Sequence, residues 1–199
     1  MPSPISESRR DSPARRRVLD TATALFYAEG VRAVGIDRII AEAGVAKATF
    51  YHHFPAKDEL VLAYVEEQSQ LGRAAVARLG PHPPRAMLLA IFELIADAAR
   101  QPGYRGCPFI NAAAEYPDPA SPVRLAIDEH RRWKRELLTG LLAGDGCGDP
   151  GRTADILTVL ADGLLIAGHL DQPTNLRELI RDAMTAVLDG GAGRSRERA

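Results

Sequence analysis

The chain has 199 residues, of which 46% are hydrophobic, 26% charged and 6% aromatic, and its 25 Lys+Arg against 26 Asp+Glu give a formal net charge of -1. That length can bury a core for one or two domains without disulfides or a structural metal. Near-neutrality excludes a histone-like basic protein and a disordered acidic chain, but not nucleic acid, because a basic segment can be balanced by an acidic one elsewhere.

Residues 1–10 are Pro- and Ser-rich and read as a disordered arm. Asp11-Ser12-Pro13 then offers a helix cap followed by proline in the first turn. Val18, Ala22, Leu25 and Phe26 fall on one face of that first helix, which ends near Gly30. Ile36, Ile39, Ile40 and Ala43 make a short second helix stopping at Gly44, and residues 46–53 make a third, closed by Phe54-Pro55. A long fourth helix over 57–79 carries Leu60, Val61, Tyr64, Val65 and Leu71, and the run Gly80-Pro81-His82-Pro83-Pro84 ends it. Further helices follow at 85–100, 108–116, 123–143 and 152–170, with a last one opening at Thr174. Residues 190–199 read as a flexible tail. No segment alternates at period 2 and nothing repeats, so the fold class is all-α.

Cys107 and Cys147 make neither a disulfide framework nor a metal-ligand pattern. The first residues lack the apolar core of a secretory signal. The longest apolar stretch, 156–170, is broken by Asp162, Gly163 and His169 and reads as unable to span a bilayer. The expectation is a soluble cytoplasmic protein with no cofactor, no metal and no membrane partner.

Charge is not spread evenly. Between Arg9 and Lys57, nine basic residues stand against five acids, a net of +4. A phosphate-facing N-terminal domain has this pattern, though a solvated helix face explains Arg15-Arg16-Arg17 equally well. Residues 36–47 add a helix, a tight glycine turn and a second helix. That is the helix-turn-helix arrangement, whose second helix enters the major groove.

Several short strings follow one another in fixed order between residues 14 and 62. An Arg-rich first helix carries Ala24-Leu25-Phe26 and Gly30, and Ile39-Ile40-Ala41-Glu42-Ala43-Gly44-Val45 comes next. Lys47-Ala48-Thr49-Phe50-Tyr51-His52-His53-Phe54 and Lys57-Asp58-Glu59-Leu60 complete the set. In these the chain resembles the TetR family of bacterial transcriptional regulators. The resemblance implies a homodimer with a three-helix N-terminal DNA-binding domain and a C-terminal helical bundle. The implied partners are a double-stranded DNA operator and a small-molecule effector, and the implied role is most often repression.

The third helix suits that role. Phe50 and Phe54, four apart, anchor one face, leaving Lys47, Ala48, Tyr51 and His52 toward a groove. Ala48 is small enough for close approach to base edges, while Tyr51 and His52 reach phosphate oxygens. Thr49 reads equally as a phosphate contact or as a hydroxyl bonded to its own backbone. Lys57 falls in the first turn of a helix, where the macrodipole disfavours a cation. The resemblance implies a phosphate contact there, and Arg16 joins the DNA-facing set. Two departures stand out: Val34-Gly35 where the family usually has Ser or Thr, and Ala56 where it often has Ser or Asn. A lost cap costs about 1 kcal/mol, partly offset by Asp58 and Glu59 in that turn.

In the second half, Ile156, Leu157, Val159, Leu160, Leu164, Leu165 and Ile166 cover most of one helix's circumference. Such a helix wants partners on several sides. A twofold interface made by the last two helices of each subunit supplies them, and it suits a palindromic operator read by helices about 34 Å apart. A central helix buried in a monomer explains the same residues. The candidate ligand-binding residues are Phe92, Tyr104, Phe109, Asn111, Glu115, His130, Trp133 and His169, each of which also reads as an ordinary packing or surface residue. Cys107 precedes Pro108 at a helix N-terminus with Arg105 nearby, an environment that lowers a thiol's pKa. It is a candidate thiol sensor, with a small packing residue at a tight turn as the alternative. Cys147 reads as incidental.

No nucleophile elbow, phosphate loop or metal helix is present in the sequence, so the chain does not read as an enzyme. The alternative is an all-α small-molecule-binding protein or enzyme without DNA binding. The expected division is an arm at 1–10, a helix-turn-helix domain at 11–56, a ligand-binding and dimerisation bundle at 57–189, and a tail at 190–199.

Overall fold

Glycine and proline set most helix ends. The computed structural model describes residues 12–193, and among these there are nine α-helices and no strand. They are α1 (Pro13–Glu29), α2 (Ile36–Ala43), α3 (Lys47–His53), α4 (Lys57–Arg78) and α5 (Pro84–Ala99). α6 (Pro108–Glu115), α7 (Pro122–Gly144), α8 (Pro150–Leu170) and α9 (Leu176–Gly193) follow. The expected N-terminal arm, Asp11 and residues 194–199 lie outside the described residues. Residues 190–193, expected as part of the tail, continue α9.

Proline opens α1 and α8 within the first turn, where its missing N–H costs nothing. That is why α8 starts two residues earlier than its apolar period suggests; Asp149 caps it by accepting from the Arg152 N–H at 3.1 Å. α9 starts two residues later than expected, because residues 173–176 form a turn in which the Leu176 N–H donates to the Pro173 carbonyl. Ser12 holds the N-cap position of α1 but does not cap it; its hydroxyl lies 3.2 Å from His53 Nε2 on α3.

The chain packs as two units. The first holds the described residues up to Gln70 together with Pro108–Ile127; the second holds Leu71–Cys107 and the described residues from Asp128 onward. This grouping differs from a cut at residue 57, since α4 and α7 each run through a junction and α6 packs with the first unit.

In the first unit, α1 packs on α2 and α3, and α2 packs on α3. Val18, Ala22, Phe26, Val34, Ile39, Phe50, Phe54, Leu60 and Val61 are buried there. Edge-to-face contact between Phe26 and Tyr64, with centroids 5.8 Å apart, joins α1 to α4.

In the second unit, α5, α8 and α9 pack on one another around Leu88, Phe92, Leu157, Leu164, Ile180 and Met184, with Leu138 and Leu142 of α7 in the same core. Gly168 permits close approach: a Cβ there would sit 3.1 Å from the Ala99 Cβ. Cys147, read from sequence as incidental, packs on this core and its Sγ lies 3.3 Å from Thr153 Oγ1.

By length and composition alone, the 21 residues of α8 are enough to cross a membrane, a test that the core helix of a globular protein also passes. Here α8 lies against α5 and α9, and Asp162 is paired with Arg131 and Lys134 of α7.

Candidate nucleic-acid interface

The turn between α2 and α3 is fixed by its backbone. Gly44 takes a left-handed conformation (φ 62°, ψ 42°), which a side chain would disfavour. Its N–H donates to the Ala41 carbonyl and the Val45 N–H to the Ile40 carbonyl, each at 3.3 Å, the pairing of a Schellman motif. Both bonds close α2 within two residues and deliver Ala46 to the N-cap position of α3.

From there α3 divides cleanly. Phe50 and Phe54 are buried, with centroids 6.1 Å apart, and hold the helix to the core of the first unit. Lys47, Ala48, Tyr51 and His52 are exposed, and Thr49 is half-buried. Tyr51 stands edge-on to Phe50 with centroids 5.3 Å apart, so one side of its ring packs while 40% of the residue stays open.

The basic residues are more committed than their number suggests. Arg38 Nη1 and Nη2 donate to the Glu29 carboxylate at 2.6 and 2.8 Å, and its Nε donates to Glu42 at 2.7 Å. These bonds raise the guanidinium pKa further and hold Glu29 below the usual carboxylate range. Arg16 pairs with Asp20 on its own helix and with Glu67 on α4. Lys47 reaches Asp37 of α2 at 3.3 Å, and the Arg15 guanidinium lies over the Phe54 ring at 5.0 Å. The i,i+4 spacing of Arg16–Asp20 and Arg38–Glu42 was open to a sequence reading; the Glu67 and Glu29 partners were not.

Lys57 opens α4 half-buried, its ammonium 5.9 Å from the centroid of Phe26. Burial lowers its pKa, while Glu115 and Asp58 act in the opposite direction. It borders a cleft of about 300 Å³ shared with Val31, Glu115 and Tyr116.

The expected ligand-binding residues divide between the two units. Phe109, Asn111 and Glu115 belong to the first. Phe109 is buried, Asn111 is exposed, and the Glu115 carboxylate binds the backbone of Val31 and Arg32. The other five belong to the second. Phe92 is core, the Tyr104 hydroxyl donates to the Leu165 carbonyl at 3.1 Å, and His169 Nδ1 lies 3.1 Å from the Tyr104 carbonyl. These bonds stitch the turn before α6 to α8, beside a cleft of about 550 Å³ that includes Ala99, Tyr104, Gly168 and Leu176.

His130 and Trp133 adjoin, with centroids 5.4 Å apart, and the Arg73 guanidinium lies 4.7 Å over the Trp133 ring. Burial, with Lys134, Arg73 and Arg131 nearby, pushes the His130 imidazole down to about 4. Cys107 is half-buried, and nearby the hydrogen bond to Asp162 raises the pKa of the Arg131 guanidinium further.

A buried-Phe anchor, a Schellman turn and an exposed helix face define the first unit as a helix-turn-helix module. Residues 18–64 match "Bacterial regulatory proteins, tetR family", and residues 84–184 match "Tetracyclin repressor-like, C-terminal domain". The chain belongs to the TetR family and is a DNA-binding transcriptional regulator of that type.

A TetR-family transcriptional regulator from Streptomyces coelicolor is 45% identical, with 89% of this chain and 95% of that one covered and a TM-score of 0.85. A putative TetR regulator from Streptomyces avermitilis is 29% identical at a TM-score of 0.81, covering 91% and 99%. The HTH-type transcriptional repressor NemR of Escherichia coli (strain K12) is 26% identical over 157 residues, 73% of this chain and 79% of that one.

Proposed function

We propose that this chain is a ligand-responsive repressor that binds a palindromic operator as a homodimer in the cytoplasm and leaves it when a small molecule binds the second unit. The observation that carries the DNA part is the exposed face of α3, where Lys47, Ala48, Tyr51 and His52 are open while Phe50 and Phe54 hold the helix down. Ala48 leaves room for base edges, Tyr51 and His52 reach phosphates, and Lys57 and Arg16 flank them. Repression is supported by the name of the Escherichia coli relative.

Dimerisation is supported by an apolar stripe. Ile156, Val159, Ile166 and Leu170 of α8 and Leu179 of α9 are all exposed in the single chain. For the effector, the reading rests on the aromatic and cationic cluster of His130, Trp133 and Arg73 and on the cleft beside Tyr104. An effector must bind one state better than the other, by about 5.5 kcal/mol to move a 1:99 population to 99:1.

Selection of duplexes from a random-sequence DNA pool tests the DNA-binding part of the reading. The expected result is a palindromic site bound with a saturable, salt-sensitive footprint. Enrichment of no sequence supports the alternative of a small-molecule-binding protein without DNA binding.

A further inference from the structure

The last residue of α6 holds the turn that leads into the helix-turn-helix. α1 ends at Gly30, whose φ of 92° turns the chain away from the helix axis. The next two backbone N–H groups, of Val31 and Arg32, point to the Glu115 carboxylate. Val31 donates to Oε1 at 2.8 Å and Arg32 to Oε2 at 2.5 Å. Consecutive N–H groups in such a turn form a concavity suited to an anion, and a carboxylate that spends one oxygen on each fills it.

The fit is close: a Cβ on Gly30 would meet Glu115 Oε1 at 3.1 Å. The neighbouring residue grips a second point, since the Tyr116 hydroxyl donates to Asp58 Oδ1 at 2.7 Å. Val31 and Arg32 lie just before α2, and Asp58 lies in the first turn of α4. Residues 115 and 116 therefore tether the chain on both sides of the α2–turn–α3 segment.

We propose that Glu115 is a positioning residue for DNA binding: its carboxylate, by clamping the Val31 and Arg32 amides, sets how α2 and α3 are presented, with the Tyr116–Asp58 bond as a second tether. α2 has no side-chain cap of its own, because Gly35 occupies its N-cap position. The Glu115 clamp supplies the order that this start lacks. Glu115 touches no nucleic acid in this role and acts through the turn. A shift of α6 by one residue along its axis, about 1.5 Å, breaks both bonds at once. The proposal rests on the DNA-binding reading above.

The test uses the full chain and a duplex that the wild-type protein has enriched from a random-sequence pool. Glu115→Gln keeps the size but sets an amide N–H₂ against one backbone donor, Glu115→Ala removes the clamp, and Tyr116→Phe removes only the second tether. The readouts are affinity for the enriched duplex by fluorescence anisotropy, and hydrogen exchange at the Val31 and Arg32 amides by NMR.

Glu115→Gln and Glu115→Ala are expected to speed exchange at both amides and to weaken duplex binding by about 10-fold, as expected for losing one charge-assisted clamp. Tyr116→Phe should weaken binding less, with the Val31 amide still protected. Unchanged protection in a folded Glu115 variant overturns the clamp, and unchanged affinity overturns its positioning role. If both Glu115 variants unfold, a Tyr116→Phe chain that melts like wild type and binds with full affinity overturns the two-sided tether. A wild-type chain that enriches no duplex fails the DNA-binding reading itself, which is a different outcome from a bound duplex indifferent to Glu115.

Discussion

Lys47, the first residue of α3, lies across the turn from Asp37 of α2, with Nζ and Oδ1 3.3 Å apart and both side chains largely open to solvent. So exposed a pair contributes little to stability and gives way readily to a better partner. On the proposed reading that partner is phosphate, and Asp37 competes with it. Asp37→Asn should raise affinity for DNA of any sequence, while Lys47→Ala should lower it and reduce the log-log salt slope by about 1. Both variants should melt within about 0.5 kcal/mol of wild type. Anisotropy titrations over a salt series read both effects, and a slope unmoved by Lys47→Ala rules out its phosphate contact.

Tyr51 and Phe50 are neighbours with opposite duties. Phe50 is fully buried, and Phe50→Ala should cost about 3–5 kcal/mol of stability. Tyr51 only rests its edge on that ring, so Tyr51→Ala should lose at most about 1.5 kcal/mol. Its loss of affinity for an enriched duplex should be larger, and Tyr51→Phe should separate the hydroxyl from the ring. A Tyr51→Ala chain that melts like Phe50→Ala would make Tyr51 a packing residue.

Lys57 is a cation in an unfavourable place, half-buried and at a helix N-terminus, with a pKa lowered by burial. For a base, a lowered pKa means the unfolded chain holds its proton more tightly than the folded one. This term therefore opposes folding at neutral pH and fades as pH rises toward the ordinary lysine value. Lys57→Met should leave the melting temperature unchanged or raise it, and flatten the alkaline part of the stability profile. It should also weaken binding to all DNA sequences alike. A lower melting temperature would show that Lys57 serves the fold through Glu115 and Phe26 rather than a phosphate.

Most helices were legible because their ends are written in side-chain type: Gly44 can adopt φ 62° without a Cβ penalty, and Pro108 and Pro122 open helices. Phe50 and Phe54 were legible as a buried pair because i,i+4 spacing is a property of any helix. Glu115 was not. Its partners are backbone N–H groups 84 and 83 positions earlier, and a backbone donor has no letter in the sequence. The charge count had a similar limit. It found the basic segment, but Arg16 and Arg38 bind Glu67 and Glu29 across helices, which only the packing of α1, α2 and α4 brings together.

His130 gives a prediction in acid. Burial, with Lys134, Arg73 and Arg131 nearby, pushes it from the ordinary 6.5 down to about 4. The folded chain therefore keeps the imidazole neutral where the unfolded chain would protonate it. The stability this represents is complete above about pH 6.5 and is lost progressively as pH falls through 4. Urea melts at pH 7.5 and 4.5 should show a smaller acid loss for His130→Gln than for wild type, the acid response of other groups cancelling in the comparison. Equal losses would mean that solvent reaches the ring.

The stripe on α8 sets the strongest prediction about assembly. Ile156, Val159, Gly163, Ile166 and Leu170 recur at alternating steps of three and four, the spacing of a helix seam, and Val159 and Leu170 are 73% and 70% exposed in the single chain. An isolated fold gains nothing from apolar side chains left this open, whereas a second copy of the same face would bury them. Val159→Asp should therefore leave the fold of one chain intact, within about 0.5 kcal/mol, since nothing covers the position there. Sedimentation should give a dimer for wild type and a monomer for the variant. The melting temperature of wild type should also rise with protein concentration, because association stabilises only the folded chain, and that of Val159→Asp should not. A dimeric Val159→Asp chain would move the interface off this face of α8.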